Sequence, residues 1–144
     1  MIVLDTNIVS NFMQRTPDLQ VCQWLDAQPE GTLYLPSVVV SEIYFGLGLL
    51  ADGRKRTQLT QSFEMFMARG FANHILDFDM RAAKAYGAIR SLRQQQGKPM
   101  SICDAQIAAI AQVRHFALAT RNIKDFAGCG IVLVNPFESV EKNG

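Results

Sequence analysis

The sequence predicts an α/β sandwich built on a mostly parallel central sheet, and three observations carry that expectation. Short apolar runs, IVL at residues 2–4, TLYL, FALA and IVLV, recur along the chain. None of them alternates apolar with polar residues, as expected of strands buried on both faces. Longer stretches with apolar residues at helical spacing separate them, so strands and helices alternate as parallel sheets require.

Taken in order, IVLD reads as a buried strand, and NIVSNFMQ spaces Ile8, Val9, Phe12 and Met13 as a helix does. Thr6 and Asn7 fall at the strand-to-helix turn. Pro17 and Asp18 open a second helix, DLQVCQWLDAQ, which Pro29, Glu30 and Gly31 close. TLYL is a strand ended by Pro36. From Ser37, SVVVSEIYFGLGLLA places Val39, Ile43, Leu47 and Leu50 on one helical stripe, absorbing Gly46 and Gly48 at some cost. Gly53 and the basic GRKR read as punctuation before the helix TQLTQSFEMFMARGF. HILDFD is strand-like, and Asp79 caps the helix MRAAKAYGAIRSLRQQQ, which Gly97 and Pro99 end. SICDAQIAAIAQVRHF is the next helix. FALAT is a strand, TRNIKDF a turn with one helical turn, GIVLVNP the last strand, and residues 136–144 a tail.

A chain of 144 residues, 49% hydrophobic and 19% charged, is expected to form one domain spanning 1–144. Its formal net charge of +1 supplies no global field toward nucleic acid or anionic lipid, so phosphate binding has to be local. No basic segment precedes MIVL, and Asp5 interrupts the apolar run, so no secretory signal is expected. No run reaches the roughly eighteen apolar residues of a membrane span. Cys22, Cys103 and Cys129 form no C-x-x-C pair, which favours a reducing cytoplasm over a disulfide framework or zinc knuckle. His74 and His115 are too few and too isolated for histidine-based metal chemistry.

The acids are the informative residues. Open α/β sheets bind ligands at the carboxyl ends of their strands. Asp5 stands at one such end, and Thr120, Asn122 and Asp125 follow another. Glu42 and Asp104 interrupt strongly apolar helical surroundings. Each has an ordinary alternative: an exposed helix face for Glu42, the helix dipole for Asp104, a surface pair with Lys124 for Asp125. Together they need a shared explanation, because isolated buried carboxylates protonate or find a cation. A divalent ion preferring hard oxygen ligands supplies one.

These residues resemble the PIN-domain ribonucleases of the VapC and FitB toxin type. IVLDTNIVS, SVVVSEIYFGLGLL, ICDAQIAAIA, LATRNIKDF and IVLVNP match in order and cover nearly the whole chain. The resemblance implies a PIN-domain α/β/α sandwich in which Asp5, Glu42 and Asp104 gather around Mg²⁺, with Mn²⁺ as a substitute. Some relatives carry a fourth acid where this chain has Asn122, and others resemble it in having TRN followed by an acid at the position of Asp125, so the fourth ligand stays open between them. Asn7, Thr120 and Asn122 are implied supporting residues. The implied reaction is hydrolysis of an RNA phosphodiester leaving a 5′-phosphate and a 3′-hydroxyl, without a histidine or serine nucleophile.

RNA phosphate is expected to be steered by cations, with Arg121, the Arg54-Lys55-Arg56 cluster, Arg90, Arg93 and Lys98 as candidates. The family also implies self-association, as a homodimer or a higher toxin–antitoxin assembly, and a small cognate antitoxin that blocks the pocket. Phe63, Met65, Phe66, Met67 and Phe71 are the candidate dimer group, and Trp24 and Tyr44 candidates for the antitoxin groove. Two other readings compete. One is a noncatalytic PIN-fold module, motivated by Asn122. The other is a haloacid-dehalogenase phosphatase, disfavoured because Asn7 stands where that chemistry needs a second acid.

Overall fold

The computed structural model, which describes residues 1–138, has strands β1 (Ile2–Leu4), β2 (Leu33–Pro36), β3 (Ile75–Leu76), β4 (Ala117–Ala119) and β5 (Leu133–Val134). They form one five-stranded sheet in the order β3-β2-β1-β4-β5. Every pairing is parallel, so the mostly parallel expectation is met in full. In β1, Val3 and Leu4 are fully buried, as are Leu118 and Ala119 in β4, which explains why neither strand alternates.

Among the described residues seven α-helices accompany the sheet: α1 (Thr6–Val9), α2 (Leu19–Ala27), α3 (Ser37–Leu49), α4 (Arg54–Gly70), α5 (Met80–Gln95), α6 (Ile102–Arg114) and α7 (Ile123–Phe126). The stretch expected as a single helix after β1 is α1 followed by a 3-10 turn over Ser10–Met13. Asp18 and Asp79 cap α2 and α5, accepting from the backbone N–H groups of Gln20 and Ala82. Gly97, at φ 72°, takes the left-handed turn after α5 that side chains resist. In α6, Ala105, Ile107, Ala108, Ala109, Ile110 and Ala111 are buried, so its apolar sequence reflects a helix enclosed on nearly all sides.

Three details differ from the sequence expectation. Gly53 is the N-cap of α4, and Arg54, Lys55 and Arg56 are its first turn and not a break before it. Cations at a helix N-terminus oppose its dipole, which is why the motif reads as a boundary. HILDFD contributes only Ile75 and Leu76 to the sheet, at its edge. The expected tail begins with buried Pro136 and with Phe137 packed on the core, because the turn after β5 folds them back; residues 139–144 lie outside the described residues.

The strand order positions the site. After β1 the chain builds outward through β2 and β3, then crosses back to place β4 on the other side of β1. The β1–β4 junction is therefore the topological switch point, at whose carboxyl edge open α/β sheets bind ligands. Asp5 leaves β1 at that edge and Thr120 leaves β4 beside it, with Leu4 paired to Ala119. Because α3 leaves the carboxyl end of β2 and α6 runs toward the start of β4, Glu42 and Asp104 lie on the same edge.

Candidate active site

Asp5 is held more tightly than any other acid of the set. It is 4% exposed, and its backbone N–H donates to Ala119 O at 2.9 Å. Its Oδ1 accepts from the Thr6 N–H at 2.7 Å, capping α1. Its Oδ2 accepts from Asn7 Nδ2 at 3.1 Å and from the Thr120 hydroxyl at 2.7 Å. Burial pushes its carboxyl up, while the three donors pull it down and the charge of Asp125 raises it further. No cation is among the described groups that act on it. The carboxylate is thus oriented on both oxygens and left with uncompensated charge.

Asn7 and Thr120 extend this frame. Asn7 Oδ1 accepts from the Arg121 N–H at 3.0 Å, and Thr120 Oγ1 accepts from the Asn122 N–H at 3.0 Å. The sequence-predicted supporting roles of Asn7 and Thr120 therefore have a geometric form. Asn122 enters the frame by its backbone, and its side chain is exposed and caps nothing in α7.

Asp104 lies in the first turn of α6, half-buried. The N-cap Ser101 accepts its N–H at 3.1 Å. Its carboxyl is raised by burial first and then by the charge of Asp5, with Asp125 adding and Arg93 opposing. Ser101 escaped the sequence reading; a serine three residues before an acid at a helix start is the signal that finds it. Asp125 is exposed in α7, yet its charge reaches both Asp5 and Asp104. Glu42 is exposed on α3. Its link to the group is through Cys103, whose thiol is pushed up to about 12 by burial and by the charges of Glu42, Asp104 and Asp5. A thiol held protonated offers no thiolate, so the donor set is oxygen only.

The acids sense one another without closing into a cage. Among the described residues no group of three or more His, Cys, Asp or Glu is disposed to hold an ion. Asp5 and Asp104 nevertheless suit a hard divalent cation. Mg²⁺ is commonly held by one or two carboxylates, its remaining positions going to water and substrate phosphate. Asp104, raised by the charge of Asp5, and Asp5, raised by that of Asp125, would both gain from such an ion.

Of the cations considered for RNA steering, Arg93 is not available. It is 6% exposed and ties the end of α5 to α7: its Nε donates to Lys98 O at 2.8 Å, and its Nη1 to Asp125 O at 3.1 Å and Ala127 O at 2.8 Å. Arg90 bonds the Tyr86 hydroxyl at 2.9 Å. Arg121 is exposed, its N–H bonded to Asn7 and its guanidinium 4.8 Å from the Phe137 ring centre.

The PIN domain family model matches residues 2–128, which contain all four acids. The chain belongs to the PIN-domain family. It is 37% identical over 139 residues to the plasmid stability protein StbB of Pseudomonas syringae pv. tomato, covering 96% of this chain and 100% of that one. It is 36% identical over 138 residues to the VapC ribonuclease Y4jK of Sinorhizobium fredii, covering 96% and 99%. Among solved structures it resembles the crystal structure of FitAcB from Neisseria gonorrhoeae, with a TM-score of 0.90, 34% identity, and coverage of 96% of this chain and 100% of that chain. It also resembles VapBC2 from Rickettsia felis bound to a promoter DNA fragment, with a TM-score of 0.79, 28% identity, and coverage of 94% and 98%. No helix among the described residues is long and apolar enough to cross a membrane.

Proposed function

We propose that this PIN-domain chain is the toxin of a toxin–antitoxin pair and acts as a divalent-metal-dependent endoribonuclease in the cytoplasm. The observation that carries the reading is Asp5, buried at the β1–β4 switch point, oriented by Thr6, Asn7 and Thr120 and raised in pKa with Asp104. The names of the relatives, a VapC ribonuclease and the toxin FitB of Neisseria gonorrhoeae among them, support the substrate class and the biological role.

Asp5 and Asp104 hold Mg²⁺ or Mn²⁺, and Glu42 and Asp125 extend the acidic rim. When bound, the ion supplies an activated water and offsets charge on the phosphoryl oxygens. Thr120 and Asn7 keep the Asp5 carboxylate in one orientation, so its charge needs no rearrangement during reaction. Ser101 fixes the first turn of α6 and with it Asp104. Arg121 draws the RNA backbone toward an edge that is otherwise acidic.

The antitoxin occupies the apolar cleft of about 310 Å³ between α1, α2 and α4, lined by Ile8, Val9, Phe12, Leu25 and Phe66. Trp24 and Tyr44, the earlier candidates for this groove, do not line it. Within the expected dimer group, Phe63 and Phe71 are buried in the core and leave only Met65 exposed. Phe45 and Leu49, one turn apart on α3 and 64% and 71% exposed, are the better surface for a second copy.

Incubating the full chain with structured RNA and Mg²⁺, then mapping the ends, tests the reading. Cuts with 5′-phosphate and 3′-hydroxyl ends, abolished by EDTA and by Asp5→Asn, are expected. Cleavage that persists under both conditions refutes it. The exposure of Glu42 and Asp125 favours one alternative, a noncatalytic module. That alternative predicts tight antitoxin binding with no RNA cleavage at any metal concentration.

A further inference from the structure

A second cleft, of about 290 Å³, is lined by Asn7, the residue that donates to Asp5. Its lining is mainly polar: Asn7, Ser10, Gln14, Thr16, Asp18 and Arg121, with the Phe137 ring at its edge. The antitoxin cleft, by contrast, is mainly apolar.

Both walls are fixed in place. On one side the buried Asn11 clamps Asp18, its Oδ1 accepting the Asp18 N–H and its Nδ2 donating to Asp18 O, each at 3.1 Å. On the other, Asn135 holds two residues at once: Nδ2 donates to Arg121 O at 3.4 Å, and Oδ1 accepts the Phe137 N–H at 2.9 Å. These bonds fix the backbone positions from which Arg121 and Phe137 meet, with the guanidinium over the ring and 4.8 Å from its centre.

We infer that this cleft is a subsite for one unpaired nucleotide of the RNA, next to the phosphate addressed by Asp5; the inference rests on the ribonuclease reading above. Unpaired bases are recognised by stacking on aromatic rings or arginine planes and by hydrogen bonds to their edges, and the cleft offers both. Its volume, at the lower limit of small-molecule pockets of roughly 300–1,000 Å³, suits a single nucleotide. Gln14 and Thr16 donate and accept along a base edge. The Asp18 carboxylate, whose Oδ1 takes the Gln20 N–H, can only accept, so it selects bases that present an amino group. Adenine, cytosine and guanine present one; uracil offers only its N3–H, flanked by two carbonyl oxygens that the carboxylate repels. Asn7 couples the subsite to the chemistry, because it bonds Asp5 through Nδ2 and the Arg121 N–H through Oδ1.

The test is an NMR titration of the metal-free full chain with each of the four ribonucleoside 5′-monophosphates. The amide signals of Thr16 and Arg121 and the Phe137 ring are expected to shift, with uridine 5′-monophosphate binding at least threefold more weakly than the best of the others. Asp18→Asn, which retains an N-cap oxygen, abolishes that preference. Phe137→Ala weakens binding roughly fivefold or more, the low end for a stacked base. Unmoved signals, or equal response to all four nucleotides, overturn the inference. Shifts produced by the cognate antitoxin alone overturn it too, marking the cleft as a protein-docking surface. The titration involves no metal and no cleavage, so its failure leaves the ribonuclease reading intact, and failure of the cleavage assay leaves this binding result intact.

Discussion

The candidate site has two unlike halves. At the β1–β4 corner, Asp5 is buried and both its oxygens are bonded, by one backbone and two side-chain donors. On the helical rim, Glu42 and Asp125 are exposed, and Asp104 stands between the extremes. The corner is built from strand ends whose register is locked by the ladder, whereas the rim is carried on three separate helices. The difference teaches that the acids are not equivalent. One is preorganised, and on the proposed function the others would complete coordination of the ion.

Substitutions that exchange the halves break this comparison in a graded way. Asp5→Asn is expected to lower the RNA cleavage rate about a hundredfold or more, the scale of losing one preorganised electrostatic group. Thr120→Val removes a donor to that carboxylate without removing the charge. It should lower Mn²⁺ affinity roughly 10–100-fold, as loss of an outer-shell partner does, and cost about 1.5–3 kcal/mol in urea unfolding. Asp125→Asn on the rim should change the cleavage rate by less than about tenfold, on the weaker scale of an exposed charge. A loss equal to that of Asp5→Asn would erase the distinction between corner and rim.

The smallest effect concerns pH. The Asp5 and Asp104 carboxyls are raised above 3.8 chiefly by burial, with each acid's neighbours adding charge repulsion. Below 3.8 both are protonated in the folded and unfolded states, and burial carries no charge penalty. As pH rises through the raised folded values, the native state holds more protons than the unfolded chain, and stability falls. Asp104→Asn removes part of that penalty. In EDTA at pH 7 it should raise the thermal midpoint by ~1–3 °C, after allowing for solvent screening, and the gain should vanish near pH 4. A gain that persists there would mean that charge is not its cause.

The contrast between the halves also explains what the sequence reveals. Asp5, Asn7 and Thr120 are readable because a polar residue ending an apolar strand has few structural reasons to be there. The same holds for the parallel sheet, whose strands lack alternation because both faces are covered. Arg93 is not readable: a cation near a helix end looks like a solvated surface residue, and only the return of α7 adds the Asp125 and Ala127 carbonyls to the local one of Lys98. GRKR misleads because its charges oppose the dipole of the helix they begin. Asn135 and Phe137 act through a turn whose approach to Arg121 depends on the β4–β5 pairing, a long-range fact that local spacing does not encode. Glu42 is readable as an oddity in an apolar helix, but its exposure is decided by how α3 packs.

Calorimetric titration of Mn²⁺ into the full chain and into Asp5→Asn addresses the central claim most directly. If the β1–β4 corner anchors the ion, the wild-type chain binds Mn²⁺ and the variant binds at least about tenfold more weakly, while Asp125→Asn stays close to wild type. Equal Mn²⁺ affinity in the wild type and Asp5→Asn would contradict the account.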